Sequence, residues 1–305
     1  VYRDSIAKIF SDAGYQVEIG ESAFEALSKL KAFDFDLVIA EVELPGDNAF
    51  DLYNYISTNY PYIPIIMTTE KNIDLFFDRI FREGIGNVLC KPLKKEELLH
   101  FADKLITKRN IFGIQNYLPE VEEIKKIRIT SSVQIQRAIE TSLQHIADWG
   151  FTIDNHMILN LVLNEMAINA VYHSHGFTRE KEQRKPVTLG EGRYVDIFFA
   201  RNRNAFAFSI NDYNGILSKE TILGSINNVI EQSQILLRAM ETGEDVNDFI
   251  SETGRGIDLV RKLCSEYYFI IRKNHRTEII MIFDRVFSRD DENYSSLKII
   301  EDFSD

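Results

Sequence analysis

Disulfide chemistry is the first thing this chain lacks the means for. Its only two cysteines, Cys90 and Cys264, stand far apart in 305 residues. They give neither a disulfide framework nor metal-ligand spacing, which points to a reducing compartment. Long apolar runs are missing too. No stretch reaches the roughly 18 residues that mark a membrane-crossing helix, and no signal-peptide pattern opens the chain. The expected location is therefore the cytoplasm, with no membrane partner. An excess of basic charge is absent as well: 35 Lys and Arg face 47 Asp and Glu, for a net charge of -12. That balance argues against a nucleic-acid-binding surface. The chain also lacks an initiating methionine, opening on Val1, so residues upstream are expected.

What remains is the composition of a soluble globular protein long enough for about two domains. Helix and strand patterns alternate over residues 1–108. Helical periodicity at Tyr2–Ala13, Ala23–Lys31, Phe50–Asn59, Ile73–Glu83 and Glu96–Lys108 separates short apolar strands at Tyr15–Ile19, Leu37–Glu41, Ile63–Thr68 and Asn87–Cys90. This order predicts an α/β domain with a doubly wound parallel sheet, whose sites form at the carboxyl ends of the strands.

Three motifs arrive in order in this segment. Asp36-Leu-Val-Ile-Ala-Glu41-Val-Glu-Leu-Pro45, Pro64-Ile-Ile-Met-Thr-Thr69 and Cys90-Lys91-Pro92 resemble the third, fourth and fifth strand ends of response-regulator receiver domains, which have a flavodoxin-like fold. The resemblance makes Thr69 the switch threonine and Lys91 the strand-end lysine. It also marks two departures. Glu41 stands where the family has its phosphoryl-accepting aspartate, and its extra methylene displaces the carboxylate from in-line geometry. The family's first strand, with its acidic magnesium ligands, has no counterpart. About ten upstream residues, or another segment, are expected to fill that slot, since unpaired backbone on both neighbours is costly. Glu41 then either mimics a permanent charge paired with Lys91 or merely caps a strand end.

Residues 109–123 read as a polar link, 124–288 as a second domain, and 289–305 as a loosely held acidic tail. In the second domain a strand at Lys126–Ser131 and a helix at Val133–Trp149 come first. A single helix is next, from Asp154 as N-cap to Gly176 as its C′ stop. Its apolar face is expected to include Met157, Ile158, Leu161, Val162, Met166, Ala170 and Val171. Glu165, Asn169 and His173 recur at i, i+4 and i+8 beside that face. Burying a carboxylate with a carboxamide costs several kcal/mol unless something pairs with them. The alternative is a solvated helix edge. Strands at Tyr194–Ala200 and Ala205–Asn211, a helix at Ile222–Met240, a helix at Ile257–Glu266 and strands at Tyr267–Lys273 and Glu278–Arg285 complete an α+β two-layer pattern.

Glu165…Asn169-Ala170…His173, Asn211-Asp212-Tyr213-Asn214-Gly215 and Gly254-Arg255-Gly256-Ile257 resemble the N, G1 and G2 boxes of Bergerat-fold (GHKL) ATPases, in particular the anti-sigma-factor serine kinases. Thr277 stands where that family places a threonine before its last strand. The resemblance implies ATP and Mg²⁺ as cofactors. Glu165 becomes a general base, Asn169 a Mg²⁺ ligand, and Asp212 the reader of the adenine amino group. His173, Gly215, Gly254, Arg255, Gly256 and Thr277 complete the nucleotide site. The implied partners are a STAS-type anti-sigma antagonist as substrate, a sigma factor, and a second copy of the chain.

The residues themselves fit that chemistry. A glycine pair opening a helix brings backbone N–H groups to an anion, and Mg²⁺ prefers oxygen ligands. G1 departs from the family pattern at Asn214 and Ile216, so a scaffold without nucleotide stays open, as does nucleotide-dependent partner switching without phosphotransfer. His173 also fits a packed helix-end histidine. His145, the upstream histidine in the helix at Val133–Trp149, lacks the acidic neighbour and second helix of a phosphoacceptor hairpin. The helix at Ile222–Met240 is a candidate ATP lid, a partner surface, or an element packing on its own domain.

Overall fold

The computed structural model describes residues 2–44, 49–153, 155–242, 255–285 and 295–303. It divides into two compact units. One comprises Val1–Phe76, Asn87–Arg109 and Asn293–Leu297, and the other Phe77–Gly86, Asn110–Glu292 and Lys298–Asp305. The expected N-cap Asp154 and the first G2 glycine, Gly254, lie outside the described residues, as does Pro45.

In the first unit, α1 (Tyr2–Asp12) and α2 (Ala23–Ala32) precede β1 (Val38–Glu41), α3 (Ala49–Asn59) and β2 (Ile65–Thr69), and β3 (Asn87–Cys90) and α5 (Lys95–Thr107) come after them. The intervening α4 (Phe77–Arg82) belongs to the second unit. Ser22 caps α2 by accepting from the Glu25 N–H, which satisfies one orphan donor of its first turn. The three strands run parallel, with Val38 opposite Ile65 and Met67 opposite Val88. β2 is buried along its whole length, as a central parallel strand covered on both faces must be. The strand expected at Tyr15–Ile19 does not form. Its residues have strand propensity, but a strand exists only through a ladder, and this segment has no partner among the described residues.

The second unit is built on antiparallel strands. β4 (Glu123–Ile129), β5 (Val195–Arg201), β6 (Ala205–Asp212), β7 (Glu266–Arg272) and β8 (Arg276–Asp284) lie in the order β7-β8-β6-β5-β4, and β9 (Leu297–Asp302) adds in parallel beside β7. Helices α6 (Ile135–Asp148), α7 (His156–Ile168), α9 (Lys219–Thr242) and α10 (Arg255–Leu263) accompany it, with the short α8 (Thr178–Glu182). Ile222, Leu223, Ile226 and Ile230 on α9 are buried, and α9 packs against α10 and α4. The distal side chains of its stripe, Leu237 and Met240, lie outside the described residues.

Four expectations are corrected here. The helix read as continuous to Gly176 stays α-helical only to Ile168, and Asn169–His173 form a π turn. Met157 and Leu161, expected in the core, are 82% and 50% exposed. The segment expected to be a polar link buries Ile111, Ile114, Tyr117 and Leu118. The Gly113 N–H donates to the fully buried carboxylate of Glu278 at 2.7 Å, and Ser209 Oγ donates to the same group. A buried acid needs such donors, and the link supplies one. Finally, part of the tail expected to be loose is the strand β9, with Leu297, Ile299 and Ile300 buried.

Candidate functional site

The candidate nucleotide site begins at Glu165, half-buried on α7 and one turn before Asn169. Gly256, the second residue of α10, lies directly against it. A Cβ built there would meet Glu165 Cβ and Met166 Cε at 2.7 Å each, so only glycine allows α10 to approach α7 this closely. Arg255 opens α10 and is exposed.

Asn169 caps α7 and begins the π turn. Its Oδ1 accepts from Lys181 Nζ at 2.9 Å. His173, at the far end of the turn, is exposed, with Nδ1 3.3 Å from Thr178 Oγ1 and Nε2 3.1 Å from Lys181 Nζ. The straight stripe expected for an α-helix thus reaches only to Asn169, because the widened turn rotates the later residues out of line. Burial and the neighbouring Lys181 ammonium both hold the His173 imidazole below its ordinary pKa.

On the sheet side, Asp212 ends β6 and is buried. Its Oδ1 accepts from the Asn214 N–H at 3.1 Å and the Gly215 N–H at 3.0 Å, forming an Asx turn. Burial pushes its carboxyl above the usual aspartate range, and those two N–H groups and the neighbouring Ser174 and Thr277 hydroxyls only partly oppose the shift. Thr277 stands opposite Asp212 in the β6–β8 register, and its buried Oγ1 reaches no partner in good hydrogen-bond geometry. Gly215 takes φ +59°, and a Cβ there would fall 2.4 Å from the Arg272 carbonyl. G1 therefore keeps the glycine its turn requires, while Ile216 is 58% exposed.

The two halves meet. Asn214 Nδ2 donates to the Ser174 carbonyl at 2.6 Å, and the Ser174 hydroxyl faces Asp212. Glu165, Asn169 and Gly256 on one side are so joined, through the end of the π turn, to Asp212, Gly215 and Thr277 on the other. Sequence reasoning missed Ser174 and Lys181. The signal for Lys181 was a short run of helix formers, Arg179-Glu180-Lys181-Glu182, between the helix stop at Gly176 and the strand at Tyr194.

The strand ends of the first unit form a second cluster. Lys91, whose side chain is 6% exposed, pairs closely with Glu41 and lies 3.4 Å from Glu70. Its Nζ stands 4.2 Å from the centre of the Tyr2 ring, a cation–π distance. Burial disfavours the ammonium, but the hydrogen bonds and charges of Glu41 and Glu70 together outweigh this and raise the Lys91 pKa. Thr69 Oγ1 donates to Glu43 Oε1 at 2.6 Å and accepts from the Lys71 N–H at 3.0 Å. Both groups that the receiver resemblance singles out thus contact glutamates from the end of β1 and the loop after it.

Residues 1–103 match the family model of the response regulator receiver domain. The two-component response regulator-like PRR1 of Oryza sativa subsp. japonica is 28% identical over 113 residues, covering 36% of this chain and 22% of that protein. The probable transcriptional regulator ycf29 of Pyropia yezoensis is 30% identical over 138 residues, with 43% and 61% covered. The DNA-binding transcriptional regulator NtrC of Rhizobium meliloti is 31% identical over 97 residues, with 32% and 20% covered. The chain thus spans between about a fifth and three fifths of the length of these relatives. Among solved structures, the chemotaxis response regulator CheY4 of Vibrio cholerae aligns over 34% of this chain and 88% of its own, at 27% identity and a TM-score of 0.32. No helix among the described residues is long and apolar enough to cross a membrane. Residues 1–103, the N-terminal part of the chain, are a response regulator receiver domain with the flavodoxin-like fold.

Proposed function

We propose that residues 124–288 form a Bergerat-type (GHKL) ATP-binding sandwich, and that the protein is a serine/threonine kinase of the anti-sigma type, acting on a STAS-type antagonist. The observation that carries this reading is the run of contacts from Gly256 against Glu165, along the π turn that starts at Asn169, to Ser174 beside Asp212 and Asn214. The residues fit an adenine nucleotide. Asp212 is a buried carboxylate that an exocyclic amine would satisfy, and the buried Thr277 hydroxyl stands beside it. Gly256 lets the start of α10 sit against α7 beside Glu165, and the backbone N–H groups of a helix start favour an anion.

Asn169 would supply a carboxamide oxygen to Mg²⁺, which holds most of its shell as water and phosphate oxygens. Bound Mg²⁺ neutralises charge on the transferring phosphoryl group. Glu165 accepts the proton of the substrate hydroxyl, and the Asp212 turn orients the base. The receiver carries no acceptor aspartate at the end of β1, and Glu41 holds Lys91 without phosphorylation. The domain therefore gates partner choice without taking a phosphoryl group. A homodimer accompanies this reading, with exposed Met157 and Leu161, one turn apart on α7, as apolar surface for it.

Incubating the intact protein with γ-labelled ATP, Mg²⁺ and purified STAS-type proteins tests the proposal. Label is expected to transfer with wild type and to fall at least a hundredfold with Glu165→Gln, in line with the about 10²–10⁴-fold typical of a general base. ATP-dependent complex formation with no label transferred favours the second reading, a partner switch without chemistry, which exposed Ile216 in the G1 turn speaks for. Failure to bind ATP at millimolar concentration rejects both.

A further inference from the structure

Resting on the nucleotide-site reading, we infer that Lys181 is a phosphate ligand of that site: a protein-supplied cation that works beside Mg²⁺ on the triphosphate. Lys181 lies outside the three motifs, eight residues after His173, and a chain reversal brings it back to them. After the π turn the chain reverses at Gly176, with φ +80°, and the Phe177 N–H donates to the Tyr172 carbonyl at 2.8 Å. Helix α8 then runs back over the turn. Tyr172 Oη donates to the Lys185 carbonyl at 2.9 Å, which pins the far end of that segment.

The result is a half-buried ammonium on Asn169 Oδ1 and His173 Nε2, beside Glu165. Both of its close acceptors are neutral. A lysine on a surface helix normally extends its charge into water, since desolvating an ammonium is costly. Among the described residues its close hydrogen-bonding partners are neutral, with the Glu165 carboxylate nearby, so the ammonium can still take a hydrogen-bonded anion. Lysine binds phosphate as a point charge on a flexible stem, so the head group can leave Asn169 for a phosphate oxygen and free the carboxamide for the metal. Such a ligand contributes most when Mg²⁺ is scarce, because the two cations neutralise the same polyanion.

The test is equilibrium binding of AMP and ATP to the full chain, measured with Mg²⁺ and with a chelator, for wild type, Lys181→Met and Lys181→Arg. Loss of one charge-assisted contact predicts that Lys181→Met binds ATP about tenfold or more weakly in chelator. The defect is expected to be smaller with Mg²⁺, largely restored by Lys181→Arg, and absent for AMP, which lacks the terminal phosphates. Unchanged or tighter metal-free ATP binding by Lys181→Met overturns the inference, because Lys181 is then a spectator or a competitor for Asn169. An equal loss for AMP overturns it too, by making Lys181 a structural strut. A wild type that binds neither nucleotide rejects the underlying reading, whereas wild-type binding with no Lys181 effect rejects this inference alone.

Discussion

Asp212 lets the proposed role of a single residue be tested through its titration. Its carboxyl is buried and raised above the ordinary aspartate range, by burial first and against the pull of two backbone N–H groups. A group with a higher pKa folded than unfolded holds its proton more tightly in the native state. Its favourable contribution is full below the unfolded value near 3.8 and is lost as pH climbs through the raised one. Above that raised value the ionised side chain therefore weakens the fold. Asp212→Asn keeps an oxygen acceptor for the Asn214 and Gly215 N–H groups while removing the charge. Its melting temperature at pH 7 is expected to equal or exceed that of wild type, and its affinity for adenine nucleotides to fall. Thermal denaturation paired with ATP binding checks this, and a stable variant that still binds ATP like wild type removes adenine recognition from Asp212. A residue kept at a cost to stability is the pattern expected of a site under functional demand.

At the scale of elements, β9 carries the clearest prediction. Leu297, Ile299 and Ile300 are buried, and Ile300 lies opposite Ile270 of β7. Ile300→Ala is expected to cost about 2–5 kcal/mol, the range for deleting a buried isoleucine side chain. Urea denaturation would show it, and a loss below about 0.5 kcal/mol, the range for surface substitutions, would return the segment to the status of a tail. The strand was not legible in the sequence because its acids read as solvated charge. In the fold each has a partner far along the chain: Asp302 takes Arg272 Nε at 2.9 Å, Glu301 takes Lys219 at 2.9 Å, and Lys298 lies 4.9 Å from the centre of the Tyr268 ring. Pairings of this kind depend on which strands become neighbours, and no local pattern encodes that. The segment at Tyr15–Ile19 fails in the opposite direction, since its pattern is strand-like and its ladder partner is missing among the described residues. By contrast, the receiver strands carrying Glu41, Thr69 and Lys91 were legible, because short apolar runs with polar strand ends arise from burial on two faces. Glu165 and Asn169 were legible for a similar reason: helical spacing alone puts them side by side. Lys181 was not, because a reversal at Gly176 had to bring it back.

Over the whole chain, the boundary drawn by family resemblance and the boundary drawn by packing disagree, and the disagreement is testable. The receiver family model covers residues 1–103, yet residues 77–86 cluster with the second unit. There Phe77 is buried with its ring 5.7 Å from the Arg261 guanidinium, Phe81 touches the position of Gly224, and α4 packs on α9. Arg261 is itself buried and held by Asp258 at 2.6 Å on α10, the helix whose second residue is Gly256. A side chain from the receiver stretch of the sequence thus supports the helix that abuts Glu165. Phe77→Ala is expected to cost about 3–5 kcal/mol, as deletion of a buried phenylalanine does, and to cost it in the second unit. Hydrogen exchange would locate the loss, because local stability is not uniform across a chain of separate cooperative units. Amides of α9 and α10 are expected to lose protection while those of β1 and β2 keep theirs. Protection lost from β1 and β2 alone would assign Phe77 to the receiver core and detach the nucleotide-site helix from that stretch of the sequence.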